Sequence, residues 1–392
     1  MDPQDWLNRC ARQLAQREQL LLLRRRQITR PIDATHIEIA GRTYVNFSSN
    51  NYLGLTHHPR MLEAVRSVEQ SGSGAAGLIT GHTELHAQAE AAIAQWKGME
   101  SAVLLPSGYQ ANVAAIQTLA GIAESYSGGV RFLVDKLAHA SLIDAIRSSD
   151  AEMRVFPHNG MAKLRRLLDE ADADQLQVVV TESIFSMDGD SADLAQIAKM
   201  KSERPFVLLV DEAHASGVYG PAGAGLAAEL GLAKVVDVSV VTLSKAIGAA
   251  GGAVCGSRVF TDALLNFGRA FIYSTNVSPA ITACSMAAIQ IMKREPERQS
   301  RVRKLAAHAR GALQRAGFDL PVGDSPIIPV VLGSEEAVLS ASQRLAGEGM
   351  WITAVRPPTV APGASRLRIT LSCAHTDQEV EKLLQQVSRI TN

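Results

Sequence analysis

Short apolar segments rich in β-branched residues alternate with segments of helical spacing from Tyr44 onward. The apolar segments predict strands at Ser101–Leu105, Arg131–Val134, Gln177–Thr181, Phe206–Val210 and Val238–Leu243. Between them, apolar residues recur at the three- or four-residue spacing of helices. Strands that alternate with helices usually form a parallel sheet covered on both faces. The pattern therefore predicts an α/β fold whose large domain has a mostly parallel central sheet between helices.

The pattern changes after about Pro279, where a long helical segment runs through Ala280–Arg303 with a break near Pro296. Strand and helix patterns then alternate at Ile327–Leu332, Glu335–Glu348, Trp351–Val355, Leu367–Leu371 and Thr376–Ile390. They predict a smaller C-terminal α/β domain. The first residues predict a helix over Asp5–Gln27 that ends at Arg24–Arg26. The predicted division is residues 1–45 as helix and arm, 46–280 as the large domain and 281–392 as the small domain.

Composition narrows the class of protein without identifying it. Of 392 residues, 46% are hydrophobic and 20% are charged, and Lys+Arg and Asp+Glu each number 39. Because a neutral chain has no general attraction to nucleic acid or to anionic membranes, we expect neither as a partner. The cysteines are far apart and form no CxxC pair, which argues against a disulfide framework or a metal site. The N-terminus lacks a signal-peptide pattern, so we expect a cytoplasmic location.

Two candidate chemical groups follow neighbouring predicted strands. Asp211 comes directly after one strand, with His214 three residues later, and Lys245 follows the next strand. Burial at a strand end lowers the pKa of a lysine and makes its amine nucleophilic, whereas a buried carboxylate needs a partner. Ligands of parallel sheets bind at the carboxyl ends of strands, so these groups are candidates for one site. The alternatives are Asp211 as a helix cap with His214 bonded locally, and Lys245 as an ordinary surface lysine.

Other predicted strand ends carry polar residues at the same edge of the sheet. Gly108 and Tyr109 begin a helix after the first strand, and free backbone N–H groups at such a turn suit a phosphate. His139 follows the next strand, where it faces a flat ring or, as the sequence alone favours, caps the following helix. Ser186 lies in a polar, glycine-containing loop after a further strand. Together these ends predict one polar site.

Arginines near both ends of the chain are candidates for binding anions. Arg368 lies on a predicted strand, either as a two-pronged clamp for a carboxylate or as an exposed residue of the strand face. Arg24 belongs to the triplet at the end of the first helix. It is either part of a solvated helix end or a contact to an anionic substrate.

The combination of a phosphate cradle, a ring-facing group, a carboxylate and an amine is what a pyridoxal phosphate site requires. The carboxylate would keep the pyridine nitrogen protonated, and the amine would hold the aldehyde. A plain dinucleotide-binding module is less consistent with the sequence, because no G-x-G-x-x-G follows the first strand.

The ordered motifs resemble the α-oxoamine synthases, a branch of the fold-type I pyridoxal phosphate-dependent transferases, from about Phe47 to His375. The matching segments are Asn50-Asn-Tyr-Leu-Gly-Leu, Ser107-Gly-Tyr-Gln-Ala-Asn, His139-Ala-Ser, Phe185-Ser-Met-Asp-Gly-Asp, Asp211-Glu-Ala-His-Ala-Ser-Gly, Thr242-Leu-Ser-Lys-Ala and Tyr273-Ser-Thr. The resemblance implies pyridoxal 5′-phosphate as the cofactor and a homodimer with the site at its interface.

The resemblance also implies a role for each matching residue. Lys245 would hold the cofactor as a Schiff base and move protons, Asp211 would pair with the pyridine nitrogen, and His214 would bond the ring hydroxyl. His139 would stack on the ring, and Ser186 would contact it. Gly108, Tyr109 and Thr242 would bind the phosphate, and Ser274 and Thr275 would contact the phosphate of the neighbouring subunit. Asn50 and Arg368 would bind the carboxylate of the amino acid. Arg24 and Thr359 would contact the acyl substrate.

Within that family, the run Arg356-Pro-Pro-Thr-Val followed by Arg366-Leu-Arg-Ile-Thr-Leu-Ser resembles the biotin-pathway branch. This branch condenses L-alanine with a pimeloyl thioester of coenzyme A or a carrier protein. The competing branches are glycine acetyltransferase, 5-aminolevulinate synthase and serine palmitoyltransferase. A non-catalytic partner subunit is disfavoured because Lys245 is kept. The chain departs from the family pattern at Ala75–Leu78, Thr80, Asn51 and Ala361, which bears on acyl specificity.

Overall fold

The computed structural model describes residues 4–172 and 174–390. Its strands are β1 Arg30–Pro31, β2 His36–Ile39, β3 Arg42–Asn46, β4 Ser101–Leu105, β5 Val130–Asp135, β6 Glu152–Phe156, β7 Leu176–Glu182, β8 Val207–Asp211, β9 Val238–Thr242, β10 Gly252–Gly256, β11 Ile327–Gly333, β12 Met350–Trp351, β13 Thr353–Val355 and β14 Ser365–Thr370. Its α-helices are α1 Asp5–Gln19, α2 Pro59–Arg66, α3 Glu84–Lys97, α4 Gly108–Ile122, α5 Ala140–Arg147, α6 Met161–Asp169, α7 Leu194–Glu203, α8 Leu226–Glu229, α9 Arg258–Phe267, α10 Arg269–Ile272, α11 Pro279–Arg294, α12 Glu297–Arg315, α13 Glu335–Gly347 and α14 Asp377–Ser388.

The central sheet has the strand order β4-β10-β9-β8-β7-β5-β6. The strands β9, β8, β7, β5 and β6 are parallel, whereas β10 is antiparallel to both of its neighbours. This confirms the predicted mostly parallel sheet, and the predicted strands agree with β4, β5, β7, β8 and β9. The sequence pattern did not predict β10, which begins and ends in glycine, a residue that weakens the signal of a strand.

Helices cover both faces of the central sheet. Alternate residues of one strand enter different cores, so that Val179 packs in one cluster while Val178 and Val180 pack in the other. This alternation follows from the two-residue period of a strand. With both faces buried, the polar ends of the strands are left as the place where a ligand can bind.

A third core lies in the C-terminal part and includes Phe47 from the N-terminal part. Its sheet has the antiparallel order β11-β14-β13. The predicted strand Trp351–Val355 is two strands, because β12 pairs with β3 while β13 pairs with β14. The predicted break near Pro296 separates α11 from α12. The division into domains stays a prediction.

The first helix is shorter than the sequence pattern predicts. It ends at Gln19, and Leu21 has a positive φ of 57°, a backbone conformation that a helix does not continue through. The prediction that the helix runs to Gln27 and ends at Arg24–Arg26 is therefore wrong. None of the helices formed by residues 4–172 and 174–390 is long and apolar enough to cross a membrane.

His158 joins three loops at the carboxyl edge of the central sheet. Its Nδ1 lies 3.0 Å from Asp135 Oδ1 and its Nε2 lies 2.7 Å from Asp190 Oδ2. Its ring also meets Phe185 edge-on at 4.3 Å. Partial burial would lower the pKa of His158, but the hydrogen bonds and charges of the two carboxylates outweigh it and raise the pKa to about 10. The imidazolium therefore holds the loops after β5, β6 and β7 together.

We expect His158→Gln to reduce the free energy of unfolding by about 1–3 kcal/mol at pH 6, because two carboxylates lose their shared cation. Since the folded pKa of about 10 exceeds the usual 6.5, the contribution is complete below about pH 6.5 and is lost as the pH rises through 10. Urea unfolding at pH 6, 8 and 10 measures it. His308→Gln, at an exposed histidine, is the control. Parallel pH curves for wild type and His158→Gln would contradict the prediction.

Candidate functional site

A cavity of about 220 Å³ opens at the carboxyl edge of the central sheet. It lies where β4, β7, β8 and β9 end, so the predicted meeting of strand ends is observed. The residues that line it are Ser107, Gly108, Tyr109, Asn112, His139, Glu182, Asp211, Ala213, Thr242, Ser244 and Lys245.

A chain of hydrogen bonds starts from the Lys245 amine. Lys245 Nζ lies 2.8 Å from His214 Nε2, and His214 Nδ1 lies 2.8 Å from Tyr52 Oη. Tyr52 donates its hydroxyl hydrogen to Asn50 Oδ1 at 3.1 Å, and this direction assigns the tautomer of His214. Nδ1 carries the proton, and Nε2 accepts from Lys245. Burial, and then the nearby cations, hold the pKa of His214 well below its usual value, so the ring is neutral.

Lys245 has the altered basicity expected of a lysine at the end of a buried strand. Desolvation lowers the pKa of its amine to about 8, while the charge of Asp211 acts in the opposite direction. An appreciable fraction of the amine is therefore unprotonated near neutral pH. Lys245 is only partly exposed, lines the cavity and is hydrogen-bonded to His214, unlike an ordinary surface lysine.

Asp211 is buried at the end of β8 with two hydrogen-bond donors. Its Oδ2 accepts from Asn112 Nδ2 at 2.7 Å, and its Oδ1 accepts from the backbone N–H of Ala213 at 2.9 Å. The second bond belongs to a local turn, as the helix-cap alternative implies. The carboxylate nevertheless lines the same cavity as Lys245, where a cationic ring nitrogen would complete its solvation.

His139 combines the two roles that the sequence left open. It is the N-cap of α5, and its Nδ1 accepts from the backbone N–H of Ser141 at 3.3 Å. The same side chain lines the cavity. Desolvation lowers the pKa of His139, although the charge of Asp211 partly counteracts this effect.

A cradle for an anion lies where α4 begins. Ser107 accepts from the N–H groups of Gln110 and Ala111, whereas those of Gly108 and Tyr109 have no partner inside the helix. A Cβ atom on Gly108 would lie only 2.1 Å from Thr242 Oγ1, so any side chain there would fill the cradle. The backbone N–H groups and the Thr242 hydroxyl are donors of the kind that bind phosphate.

Arg368 is buried, so the alternative of an exposed residue on the strand face is wrong. Its Nε donates to the backbone carbonyl of Ser186 at 2.6 Å, and its Nη1 donates to Asn50 Oδ1 at 3.1 Å. Within residues 4–172 and 174–390, no carboxylate forms an ion pair with it. A buried guanidinium with free donors suits the carboxylate of a ligand.

A second cavity of about 420 Å³ lies beside β13 and the N-terminal arm. Arg24 Nη2 donates to Thr359 Oγ1 at 2.8 Å, so two residues 335 positions apart meet there. Arg356 lines the same cavity, and after desolvation the charge of Arg24 further lowers its pKa. Arg24 is therefore not part of a helix end, as one alternative had it, and two neighbouring cations mark the cavity for an anion.

Ser274 lies beside the first turn of α4, where the anion cradle of the same chain begins, and Thr275 follows it in sequence. Ser274 Oγ accepts from Gln110 Nε2 at 2.9 Å, and Thr275 forms a β-bridge with Ala76. Their predicted contact with a neighbouring subunit stays a prediction.

Sequence reasoning missed three residues of the site: Tyr52, Asn112 and Glu182. Tyr52 and Asn112 lie inside the motifs Asn50-Asn-Tyr and Ser107-Gly-Tyr-Gln-Ala-Asn, but neither residue was assigned a role. Asn112 stands one helical turn after Gly108, which is the signal that it lies on the same face of α4 as the cradle. Glu182 ends β7 just as Asp211 ends the neighbouring strand β8. This equivalent position is the signal that Glu182 belongs to the site.

Comparisons with known proteins extend over the whole chain. A model of the family described as aminotransferase class I and II matches residues 42–387. An 8-amino-7-oxononanoate synthase from Lysinibacillus sphaericus is 37% identical over 386 residues, which cover 98% of each chain. One from Anaeromyxobacter dehalogenans is 40% identical over 363 residues, 92% of this chain and 89% of the relative. Serine palmitoyltransferase from S. paucimobilis, solved with bound PLP, has a TM-score of 0.90 at 26% identity and matches 100% of this chain and 98% of that one.

The fold and the site define a fold-type I enzyme that depends on pyridoxal 5′-phosphate. The anion cradle, the carboxylate of Asp211 and the low-pKa amine of Lys245 match the cofactor's phosphate, ring nitrogen and aldehyde. The chain belongs to the class I and II aminotransferase family and, within it, to the α-oxoamine synthases. The predicted family, fold class and cofactor are thus confirmed.

We expect Gly108→Ala to weaken pyridoxal phosphate binding roughly tenfold, because the added methyl collides with Thr242 Oγ1 and must displace one wall of the cradle. Titration of the apoprotein with the cofactor, followed by visible absorbance, measures the dissociation constant. Gly347→Ala is the matched control, since a Cβ there meets nothing within 4 Å. Equal cofactor affinity in the two variants would show that the cradle is not where the phosphate binds.

Proposed function

We propose that this chain condenses L-alanine with a pimeloyl thioester, carried by coenzyme A or a carrier protein, to give 8-amino-7-oxononanoate, CO2 and the free thiol. This is the biotin-pathway activity of an 8-amino-7-oxononanoate synthase. The observation that carries the proposal is the buried Arg368 guanidinium, which shares one hydrogen-bond chain with Lys245. The names of the curated relatives support the choice of acyl group.

Different residues of the cavity would bind different parts of the cofactor. The N–H groups of Gly108 and Tyr109, with the Thr242 hydroxyl, would hold the phosphate, and Asp211 would face the ring nitrogen. Lys245 would hold the aldehyde carbon. When bound, pyridoxal phosphate supplies an electron sink for negative charge at the α-carbon of an amino acid.

His139, His214 and Ser186 would complete the cofactor's surroundings. His139 lines the cavity and would cover one face of the ring. His214 is neutral and hydrogen-bonded to Lys245 Nζ, and it would turn towards the ring hydroxyl. The backbone carbonyl of Ser186 accepts a hydrogen bond from Arg368. This bond holds the loop after β7 close to the guanidinium that would bind the substrate carboxylate.

Arg368 and Asn50 would orient the amino acid by its carboxylate. The Arg368 guanidinium already donates to Asn50, which leaves donors for the two carboxylate oxygens. This position would direct the α-hydrogen towards Lys245 Nζ. With a pKa of about 8, that amine takes up a proton and returns it near neutral pH.

Arg24, Arg356 and Thr359 would receive the acyl substrate at the second cavity. The hydrogen bond from Arg24 to Thr359 fixes the N-terminal arm against β13 and the turn that follows it. Two cations so close together attract the negative charges of a dicarboxylic acyl chain or of its phosphate-bearing carrier.

A homodimer with the site at its interface is part of the proposal. Large apolar side chains are exposed in the single chain, with Ile79 exposed to 75% and Tyr273 to 73%. Tyr273 precedes Ser274, which is bonded to the start of α4. A second copy would cover these side chains and bring Ser274 and Thr275 to its cofactor phosphate.

Purified enzyme with pyridoxal phosphate, L-alanine and pimeloyl-coenzyme A should release thiol, measured with a thiol reagent. Lys245→Ala should lower the rate by at least about a hundredfold, because the group that moves the proton is lost. Lys199→Ala, at an exposed lysine, is the control. Faster thiol release from glycine with acetyl- or succinyl-coenzyme A, or from L-serine with palmitoyl-coenzyme A, would refute the assignment.

We expect Arg368→Lys to raise the KM for L-alanine about tenfold or more, with little change in the KM for pimeloyl-coenzyme A, because lysine cannot bind a carboxylate with two parallel hydrogen bonds. Steady-state thiol release at varied concentrations of each substrate separates the two constants. Arg315→Lys, at an exposed position of α12, is the control. An equal rise in both constants would argue against a carboxylate clamp.

A further inference from the structure

Glu182 is a buried acid in the cavity that the roles above do not use. It ends β7 directly opposite Asp211 on β8, and it is 1% exposed. Its Oε1 is buried and has no hydrogen-bond partner in the described part of the chain, although the residue lines the cavity. A buried polar atom without a partner is costly unless a bound molecule satisfies it.

The two carboxyl groups at neighbouring strand ends differ in their donors. Each carboxylate oxygen of Asp211 has a donor, because Oδ2 accepts from Asn112 and Oδ1 accepts from the backbone N–H of Ala213. Glu182 has no such pair of donors. Because two adjacent carboxylates repel each other in a buried site, one of them takes up a proton, and the donors single out Glu182.

The charges around Glu182 agree with this assignment. Burial raises the pKa of Glu182 well above its usual value, and the charges of Asp211 and Asp135 raise it further. The Lys245 amine and the backbone N–H of His139 act in the opposite direction and offset only part of the rise. These surroundings favour the protonated form of the side chain, which carries an O–H donor.

The order of the strands indicates what this donor faces. The phosphate cradle follows β4, Lys245 follows β9, Asp211 ends β8 and Glu182 ends β7. The cradle and Glu182 therefore flank the pair of Lys245 and Asp211 on opposite sides. Pyridoxal phosphate carries its phosphate arm and its ring hydroxyl oxygen on the two carbons that flank the aldehyde-bearing carbon.

We propose that Glu182 is a further cofactor-binding residue, a neutral acid that donates a hydrogen bond to the oxygen on the ring-hydroxyl side of bound pyridoxal phosphate. The inference rests on the proposed placement of the cofactor against Asp211 and Lys245. It assigns the site one ionised carboxylate instead of two, and it makes the proton on Glu182 part of cofactor binding.

Two substitutions of similar size separate the hydrogen bond from the charge. Glu182→Gln keeps a donor and has no charge, so it should bind the cofactor within about twofold of wild type. The pH midpoint of the cofactor's visible absorption band should shift by less than about 0.3 units, because no charge near Lys245 has changed. Glu182→Leu removes the donor and should weaken cofactor binding about tenfold.

Other results would overturn the inference. If Glu182→Gln lowers the absorbance midpoint by about one unit or more, Glu182 is ionised in the wild type, since loss of a negative charge favours the unprotonated nitrogen. If Glu182→Leu binds the cofactor as tightly as wild type, no hydrogen bond is made. Thermal unfolding of each apoprotein establishes that the variant is folded.

Asp211→Asn distinguishes this inference from the proposed function. With the cofactor placed as proposed, this variant lowers both cofactor affinity and the absorbance midpoint, whatever Glu182 does. If Asp211→Asn changes neither, the placement of the cofactor fails. If Asp211→Asn acts as stated and Glu182→Gln shifts the midpoint too, only the role of Glu182 fails.

Discussion

The site depends on one chain of hydrogen bonds that joins Lys245 to Arg368 through His214, Tyr52 and Asn50. Each link is between 2.8 and 3.1 Å long. These hydrogen bonds extend from the end of β9, in the central sheet, to β14, in the C-terminal sheet. A shift of one sheet against the other would therefore change the amine and the guanidinium together. Because buried polar networks are stable only when each member has a partner, this series of hydrogen bonds also fixes the tautomer of His214.

The turn after Asp211 is fixed by a second buried interaction. Glu212 follows Asp211 directly and forms a buried ion pair with Lys97, and it also accepts from the backbone N–H of Ala227 at 2.9 Å. Successive residues of a strand point to opposite sides, so the two acids serve different purposes. Asp211 faces the cavity, whereas Glu212 attaches the turn to α3 and α8. Removing one partner of such a pair typically costs about 3–5 kcal/mol, so the position of Asp211 is strongly determined.

The sequence predicted the parallel strands and the meeting of their ends, because apolar runs and their order along the chain determine both. It did not predict where α1 ends, since the positive φ of Leu21 has no glycine or asparagine to signal it. It also missed β10, whose pairing between β4 and β9 depends on contacts far apart in sequence. Glu182 was missed for a similar reason, because an acid at the end of a strand becomes unusual only when Asp211 is seen beside it.

The early end of α1 shapes the second cavity as well as the fold. A helix continued to Gln27 would carry Arg24 along its own axis, at 1.5 Å per residue. In the observed path the chain turns back at Leu21, whose carbonyl accepts from Arg356, and Arg24 then reaches Thr359. The arm thus forms one wall of the second cavity and supplies part of its positive charge. Because that charge comes from residues far apart in sequence, a change in the length of the arm would alter the second cavity without disturbing Lys245.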